Sequence, residues 1–461
     1  MNKLFKINNI KYIHLIDFIR DTIKGTYFDN HVYVVGGTVR DWLLGKEVKD
    51  IDLVIDIPFG GVGFANFMTF KDGSNQSSKN PVVFPKYGTC KFQLLNNEEF
   101  SGIQIECVQS NKSVKDINDK SKSFGTIEDD AKLRDLTINS IYYNISTDEV
   151  MDITGKGIDD INNKILRTPI NPDITFENDP LRLLRVIRFA TYLGYGIEQK
   201  TWLSMLKNSD KILTLSCDTV REEVNKILLS DKPSIGFKRM LSCNKLIDYA
   251  FPSVQLQNRV LHTQLPEETI FEHTMKVLDR VEPRLEYRLA ALLHDIGKLT
   301  TFKKDFFQNE DEGRNLSKKL LKMLGYSNSI INNVSSSIGL HEYFKGKRTP
   351  SKKTIRKFKA LAGDNYDLIL SLIDADNKSQ IYGKNINQVP YIRKMVKKIE
   401  EKEQRDLKEV KLPINGDDII KKFSLKSGPI IGTILKTVKN AYFKNPKITK
   451  EECFKMIDKI I

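Results

Sequence analysis

Apolar residues in the first 145 or so positions come in short β-branched runs separated by turn residues, while the rest of the chain keeps a helical period. Tyr12, Ile13, Leu15, Ile16, Phe18 and Ile19, interrupted by His14, Asp17 and Arg20, predict an amphipathic helix and not a signal segment. Val32 to Val35 predicts a strand, Gly36-Gly37 a turn into a helix carrying Arg40 and Asp41, and Asp50-Ile51-Asp52 the start of a second strand. A glycine-rich polar passage from Gly60 to Asn80 follows, then strands at Val82–Phe84, Thr89–Leu94 and Ile103–Val108, then a polar loop from Asn111 to Lys122. From about residue 200 to 260 the chain reads as helices rich in Leu, Ile and Lys. A charged helix is expected over Val389 to Val410, and Thr449 with Glu452 forms a capping box for the last one.

Composition narrows the class. The chain has 461 residues, 40% apolar and 29% charged, enough for several globular domains. Its formal charge of +14 suits a polyanionic partner. The five cysteines, Cys90, Cys107, Cys217, Cys243 and Cys453, form no CxxC pair, which predicts free thiols in a reducing, cytoplasmic setting with no zinc knuckle. No stretch is long enough to span a membrane.

The chemistry concentrates at Val32 to Asp56. Side chains at i and i+2 of a strand share a face, so Asp50 and Asp52 present two carboxylates to one point while Ile51 and Leu53 enter the core. Hard carboxylate oxygens suit Mg²⁺. The backbone N–H groups of Gly36 and Gly37 can approach an anion, and Arg40 can add a charged fork, so triphosphate and metal would meet there. Glu106, between Ile105 and Cys107, is a candidate third carboxylate if its strand lies beside that of Asp50 and Asp52.

The order Gly-Gly, twelve residues, then Asp-x-Asp resembles the polymerase β-type nucleotidyltransferase signature. The fuller string GGTVRDWLLG…KDIDLVID is similar to the head of class II tRNA nucleotidyltransferases, the CCA-adding enzymes, and of bacterial poly(A) polymerases. The resemblance implies an α/β nucleotidyltransferase head (1–145) followed by an all-α neck (146–200), body (201–260), HD domain (261–385) and tail (386–461). It also implies addition of CCA to a tRNA 3′ end from CTP and ATP without a nucleic-acid template, Asp50 and Asp52 being the catalytic metal ligands.

Later motifs extend the likeness. In GTIEDDAKLRDLTINSIYYN, Arg134 and Asp135 match an Arg-Arg-Asp element implied to contact the ribose, with Leu133 in place of the first arginine. Asp152, Gly157, Asp160 and Ile161 match a hinge motif. In TFENDPLRLLRVIRFA, Asp179 is expected as helix N-cap before Pro180, and Asp179, Arg182 and Arg185 project from one helix side. Cytosine and adenine both place an amino donor beside a ring-nitrogen acceptor, so a carboxylate beside a guanidinium pairs with them and rejects uracil and guanine. The family's Glu-Asp-x-x-Arg motif is implied to work this way, with Asn178 here in place of its glutamate and Glu177 one residue earlier.

His273, His294, Asp295 and Asp376 resemble the ligands of an HD phosphohydrolase centre suited to Mn²⁺, Ni²⁺ or Fe²⁺; Asn309 stands where relatives often carry another histidine, and His341 lies beyond it. Eight lysines and no acid lie between Lys421 and Lys450, and Lys421, Lys422, Lys426, Lys436 and Lys439 are expected to meet RNA phosphates. The alternatives are a poly(A) polymerase, an enzyme adding only part of CCA, an HD-type phosphohydrolase of RNA ends, and a non-catalytic RNA-binding protein. Intact Asp50 and Asp52 argue against the last two.

Overall fold

The computed structural model describes residues 10–48, 50–74, 80–84, 89–112, 124–262, 265–299, 308–347, 349–380, 387–409, 412–445 and 448–458. The chain divides into two compact units: Met1–Lys345 with Ala362–Ile386, and Gly346–Leu361 with Asn387–Ile461.

The first unit begins with α1 (Ile10–Ile23), whose Tyr12, Leu15, Ile16, Ile19 and Ile23 are buried. Next come β1 (Val32–Val35), α2 (Gly37–Leu43) and β2 (Asp50–Ile55). All four residues of β1 are buried, as befits a strand covered on both faces. After α3 (Gly60–Lys71) come β3 (Val82–Phe84), β4 (Thr89–Phe92), β5 (Gln104–Gln109), α4 (Ile127–Lys132), β6 (Ile141–Asn144) and β7 (Glu149–Asp152). The seven strands form one sheet in the order β3-β4-β5-β2-β1-β6-β7. Every pairing is antiparallel except β2 with β5, which is parallel. One face joins the main core with α1 and α3; on the other, Ile127 and Ala131 of α4 cover Tyr33, Val35, Val54 and Tyr142. The sheet runs past residue 145 to β7.

The passage that reads as glycine-rich and polar from Gly60 is helical as far as Lys71. Phe64, Ala65 and Met68 give it a buried face, and its glycines permit contact with the sheet. A Cβ on Gly60 would stand 2.5 Å from Ile55 Cγ2, and one on Gly61 2.9 Å from Val108 Cα. Glycine here serves close packing and not a turn. Residues 113–122 of the expected loop lie outside the described residues; Asn111 bridges to Phe124 at its edge.

Beyond the sheet the first unit is helical. The described exceptions are two short ribbons, β8 (Ile165–Leu166) with β9 (Gly196–Ile197), and β10 (Leu261–His262) with β11 (Leu265–Thr269). Three helices follow the head: α5 (Gly157–Asn163), α6 (Pro172–Asn178) and α7 (Leu181–Leu193). Asp179 sits between the last two, and its Oδ1 accepts from the Leu181 N–H at 3.0 Å. The second unit, with helices Gly416–Phe423, Pro429–Lys444 and Lys450–Ile457, has its own core of Ile414, Ile419, Ile431, Ile434, Val438, Cys453 and Ile457. Thr449 and Glu452 make the expected capping box. No helix among the described residues is long and apolar enough to cross a membrane.

Candidate active site

Strand alternation places Asp50 and Asp52 on one side of β2 while Ile51 and Leu53 are buried on the other. The parallel register sets Asp52 opposite Glu106 on β5, so three carboxylates share one face. Burial first, then the Glu106 charge, pushes the Asp52 carboxyl up to about 6. Partial compensation comes from the Glu106 ion pair with Lys91 of β4, at 2.7 Å, and from the Arg134 charge on Asp52. This cluster of hard oxygens, with negative charge in excess, fits a divalent cation.

Gly36 closes the site from the β1 end. It has φ +71°, and a Cβ there would lie 3.5 Å from Arg134 Nη1 and 3.7 Å from Asp52 Oδ2, so only a bare backbone leaves the space open. Arg134 is fixed by Asp130 at 2.9 Å and by the Tyr142 hydroxyl at 3.0 Å. Arg40 lies behind this turn. Its guanidinium is only 4% exposed as a residue, donates to both oxygens of Asp41, at 2.9 and 2.8 Å, and to Asn139 Oδ1 at 2.7 Å.

Asp135 is buried and accepts from Arg185 at 2.8 Å, from Asn139 Nδ2 at 2.9 Å and from the Leu136 N–H at 2.8 Å. Arg185 thereby ties α7 to the head. Arg182 donates to the backbone carbonyl of Leu133, the residue standing in for the expected arginine, and to that of Thr175 at 3.4 Å. Its Nε lies 3.7 Å from Asp179 Oδ2, so the carboxylate and guanidinium expected to read a base do stand together. Glu177 is exposed and pairs with Lys211 at 3.7 Å.

A second cluster lies in the helical part. His273 on the helix Ile270–Arg280, and His294 and Asp295 after the helix Leu285–Leu293, offer ligand atoms within 4.8 Å of one another. His273 Nε2 is 2.9 Å from Asp376 Oδ1, which lies on the helix Tyr366–Ser379. The Nδ1 atoms of His294 and His341 sit against the carbonyls of Ala291, at 2.8 Å, and Ile338, at 2.6 Å. Their buried Nε2 atoms have no hydrogen-bond partner among the described residues. These lie 3.4 and 3.9 Å from Asp295 oxygens. A tautomer fixed by a carbonyl at Nδ1 leaves Nε2 as a lone-pair donor, so the cluster fits a metal of mixed nitrogen and oxygen preference. The side chain of Asn309 lies outside the described residues. In the second unit Lys421, Lys422, Lys426 and Lys436 are exposed and Lys439 is half-buried.

Lys91, Asp130, Asn139, Tyr142 and Phe189 also shape the site and carry no sequence signal as site residues.

Residues 32–167 match the family described as the poly A polymerase head domain, 194–257 the probable RNA and SrmB-binding site of polymerase A, and 270–379 the HD domain. The multifunctional CCA protein of Shewanella frigidimarina is 33% identical over 298 residues, covering 61% of this chain and 66% of that protein. Its counterpart in Pseudoalteromonas atlantica is 32% identical over 295 residues, covering 58% and 64%. The mitochondrial CCA tRNA nucleotidyltransferase of Candida glabrata is 32% identical over 219 residues, covering 44% and 40%. The chain thus spans less than two thirds of the length of these curated relatives. Among solved structures, the Bacillus stearothermophilus CCA-adding enzyme in complex with CTP superposes with a TM-score of 0.61 at 18% identity, covering 96% of this chain and 95% of that one. The Thermotoga maritima CCA-adding enzyme complexed with tRNA gives 0.57 at 19%, covering 98% and 96%. At such identities the likeness establishes the fold.

Proposed function

The chain belongs to the CCA-adding enzyme and poly(A) polymerase family and carries an HD domain, and from that premise we propose that it adds CCA to tRNA 3′ ends from CTP and ATP. The observation that carries the reading is the β2–β5 register, which gathers Asp50, Asp52 and Glu106 beside the Gly36 turn and Arg134. Asp50 and Asp52, with Glu106 as third candidate, would hold Mg²⁺. When bound, it supplies Lewis-acid activation of the RNA 3′-hydroxyl and neutralises charge on the nucleotide phosphates.

The chain's own groups do the rest. The Gly36-Gly37 backbone faces the triphosphate with Arg40 behind it, and Arg134 and Asp135 hold the ribose. Asp179 accepts from the amino group of C or A, and Arg182 donates to the neighbouring ring nitrogen. Arg185 holds the Asp135 side of this arrangement. The 3′-hydroxyl attacks the α-phosphate and pyrophosphate leaves. Lys421, Lys422, Lys426, Lys436 and Lys439 meet the tRNA backbone, each contact steepening the salt dependence of binding. Because β7 (Glu149–Asp152) pairs into the head sheet, we assign 1–152 as head and 153–200 as neck, with 201–260 as body, 261–385 as HD domain and 386–461 as tail. His273, His294, Asp295 and Asp376 would take Mn²⁺, Ni²⁺ or Fe²⁺. The five free thiols suit the cytoplasmic setting we propose.

The test offers CTP, ATP or both, with Mg²⁺, to tRNAs ending before CCA, after C and after CC. Two C and one A, then a stop, is the expected result. A added only to the CC-ended tRNA marks a partial enzyme, long A tails a poly(A) polymerase, and no incorporation refutes the proposal.

A further inference from the structure

Three guanidinium groups converge on the ring of Phe189, which is 5% exposed: Arg188 at 4.2 Å, Arg40 at 5.0 Å and Arg185 at 5.6 Å from its centroid. Like charges so placed repel, yet each has its own acceptor from a different part of the chain. Asp41 and Asn139 hold Arg40, Asp135 holds Arg185, and Glu223 holds Arg188 at 2.7 Å. The electron-rich ring face is the element common to all three. Asn139 makes the second link, accepting from Arg40 and donating to Asp135.

Arg40 belongs to α2, which starts at the Gly36-Gly37 turn, whereas Arg185, Arg188 and Phe189 belong to α7, the helix headed by Asp179 and Arg182. The ring and the amide therefore join the turn that faces the triphosphate to the helix that faces the base. We propose that Phe189 and Asn139 are positioning residues that fix the span between these two, and so set the discrimination of C and A against U and G. The proposal rests on the reading of Asp179 and Arg182 given above. A helix is stiff, and a hydrogen-bonded edge tolerates displacement of only a few tenths of an ångström. A clasp about two turns beyond Arg182 on the same helix is therefore felt at the base edge. A leucine keeps an apolar but smaller side chain and offers no ring face to the three cations; lost packing alone would lower the Tm without changing the nucleotide preference.

The experiment compares the full-length wild type with Phe189→Leu, Phe189→Tyr and Asn139→Ser. Incorporation of each of the four nucleotides into tRNA is measured as kcat and KM, and their binding in the presence of Mg²⁺ by equilibrium titration. Phe189→Leu and Asn139→Ser should cut the preference for CTP over UTP and ATP over GTP by about tenfold, mainly through KM, while Phe189→Tyr stays within about twofold of wild type. Unchanged preference in Phe189→Leu, even with a lowered Tm, or equal damage in Phe189→Tyr, overturns the proposal. Should Phe189→Leu not fold, Asn139→Ser decides by the same criterion. If the wild type incorporates nothing but binds C and A nucleotides selectively, the activity reading fails alone and the binding ratios of the variants decide the clasp. A wild type without binding preference overturns both.

Discussion

Replacing Asp135 with asparagine tests the junction on which the site is built. The carboxylate is 6% exposed and accepts from Arg185, Asn139 and the Leu136 amide. Asparagine keeps the shape but turns an acceptor into an NH₂ facing other donors and leaves Arg185 without its charge partner. Removing one member of a buried pair costs about 3–5 kcal/mol. The Arg185 side chain is 34% exposed, so water recovers part of this, and a loss of about 2–3 kcal/mol is expected. Burial alone would raise the Asp135 carboxyl, but Arg185, Asn139 and Arg182 outweigh it and hold the group well below the usual carboxylate range. A depressed folded-state value stabilises in full above the unfolded value near ~3.9 and is lost as pH falls below it. The deficit of Asp135→Asn should therefore be about 1 kcal/mol smaller at pH 3 than at pH 7, at 1.36 kcal/mol per pH unit below ~3.9. Urea unfolding followed by the fluorescence of Trp42, buried in the head, measures both values. A deficit under about 1 kcal/mol at pH 7, or one that does not narrow at pH 3, would refute the reasoning.

Three further outcomes follow from the geometry. Asp52→Asn should lower incorporation by about a thousandfold or more without lowering the Tm of the metal-free protein, because it removes a half-buried charge facing Glu106; a variant that keeps wild-type kcat ends the site assignment. Gly61→Ala should destabilise by about 2 kcal/mol because its Cβ would meet Val108 backbone at 2.9 Å, whereas Gly63→Ala, with only Phe28 Cζ at 3.8 Å, should stabilise by about 0.5–1 kcal/mol through helix propensity. Thermal melts of the pair decide, and shifts of the same sign contradict the packing of α3. His294→Ala should abolish Mn²⁺ binding in titration calorimetry at the HD centre while CTP incorporation stays within about twofold of wild type, since the helical cluster shares no ligand with the head; retained stoichiometric Mn²⁺ at that centre counts against the ligand set.

The sequence alone determined what depends on local period and covalent order. Strand alternation put Asp50 and Asp52 on one face, Gly36-Gly37 announced a turn, a three-residue step aligned Asp179, Arg182 and Arg185, and Thr449 with Glu452 announced a cap. Each follows from backbone geometry within a few residues. The helix at Gly60–Lys71 was not legible, because its glycines read as breakers until the sheet they pack against is known. Tertiary structure alone decided the pairing of Asp52 with Glu106, the Lys91 partner of Glu106, the burial of Arg40 behind its turn, and the meeting of Arg182 with the Leu133 carbonyl. These are contacts between segments tens of residues apart. Their register and burial are set by how whole faces pack, and that depends on the entire core at once.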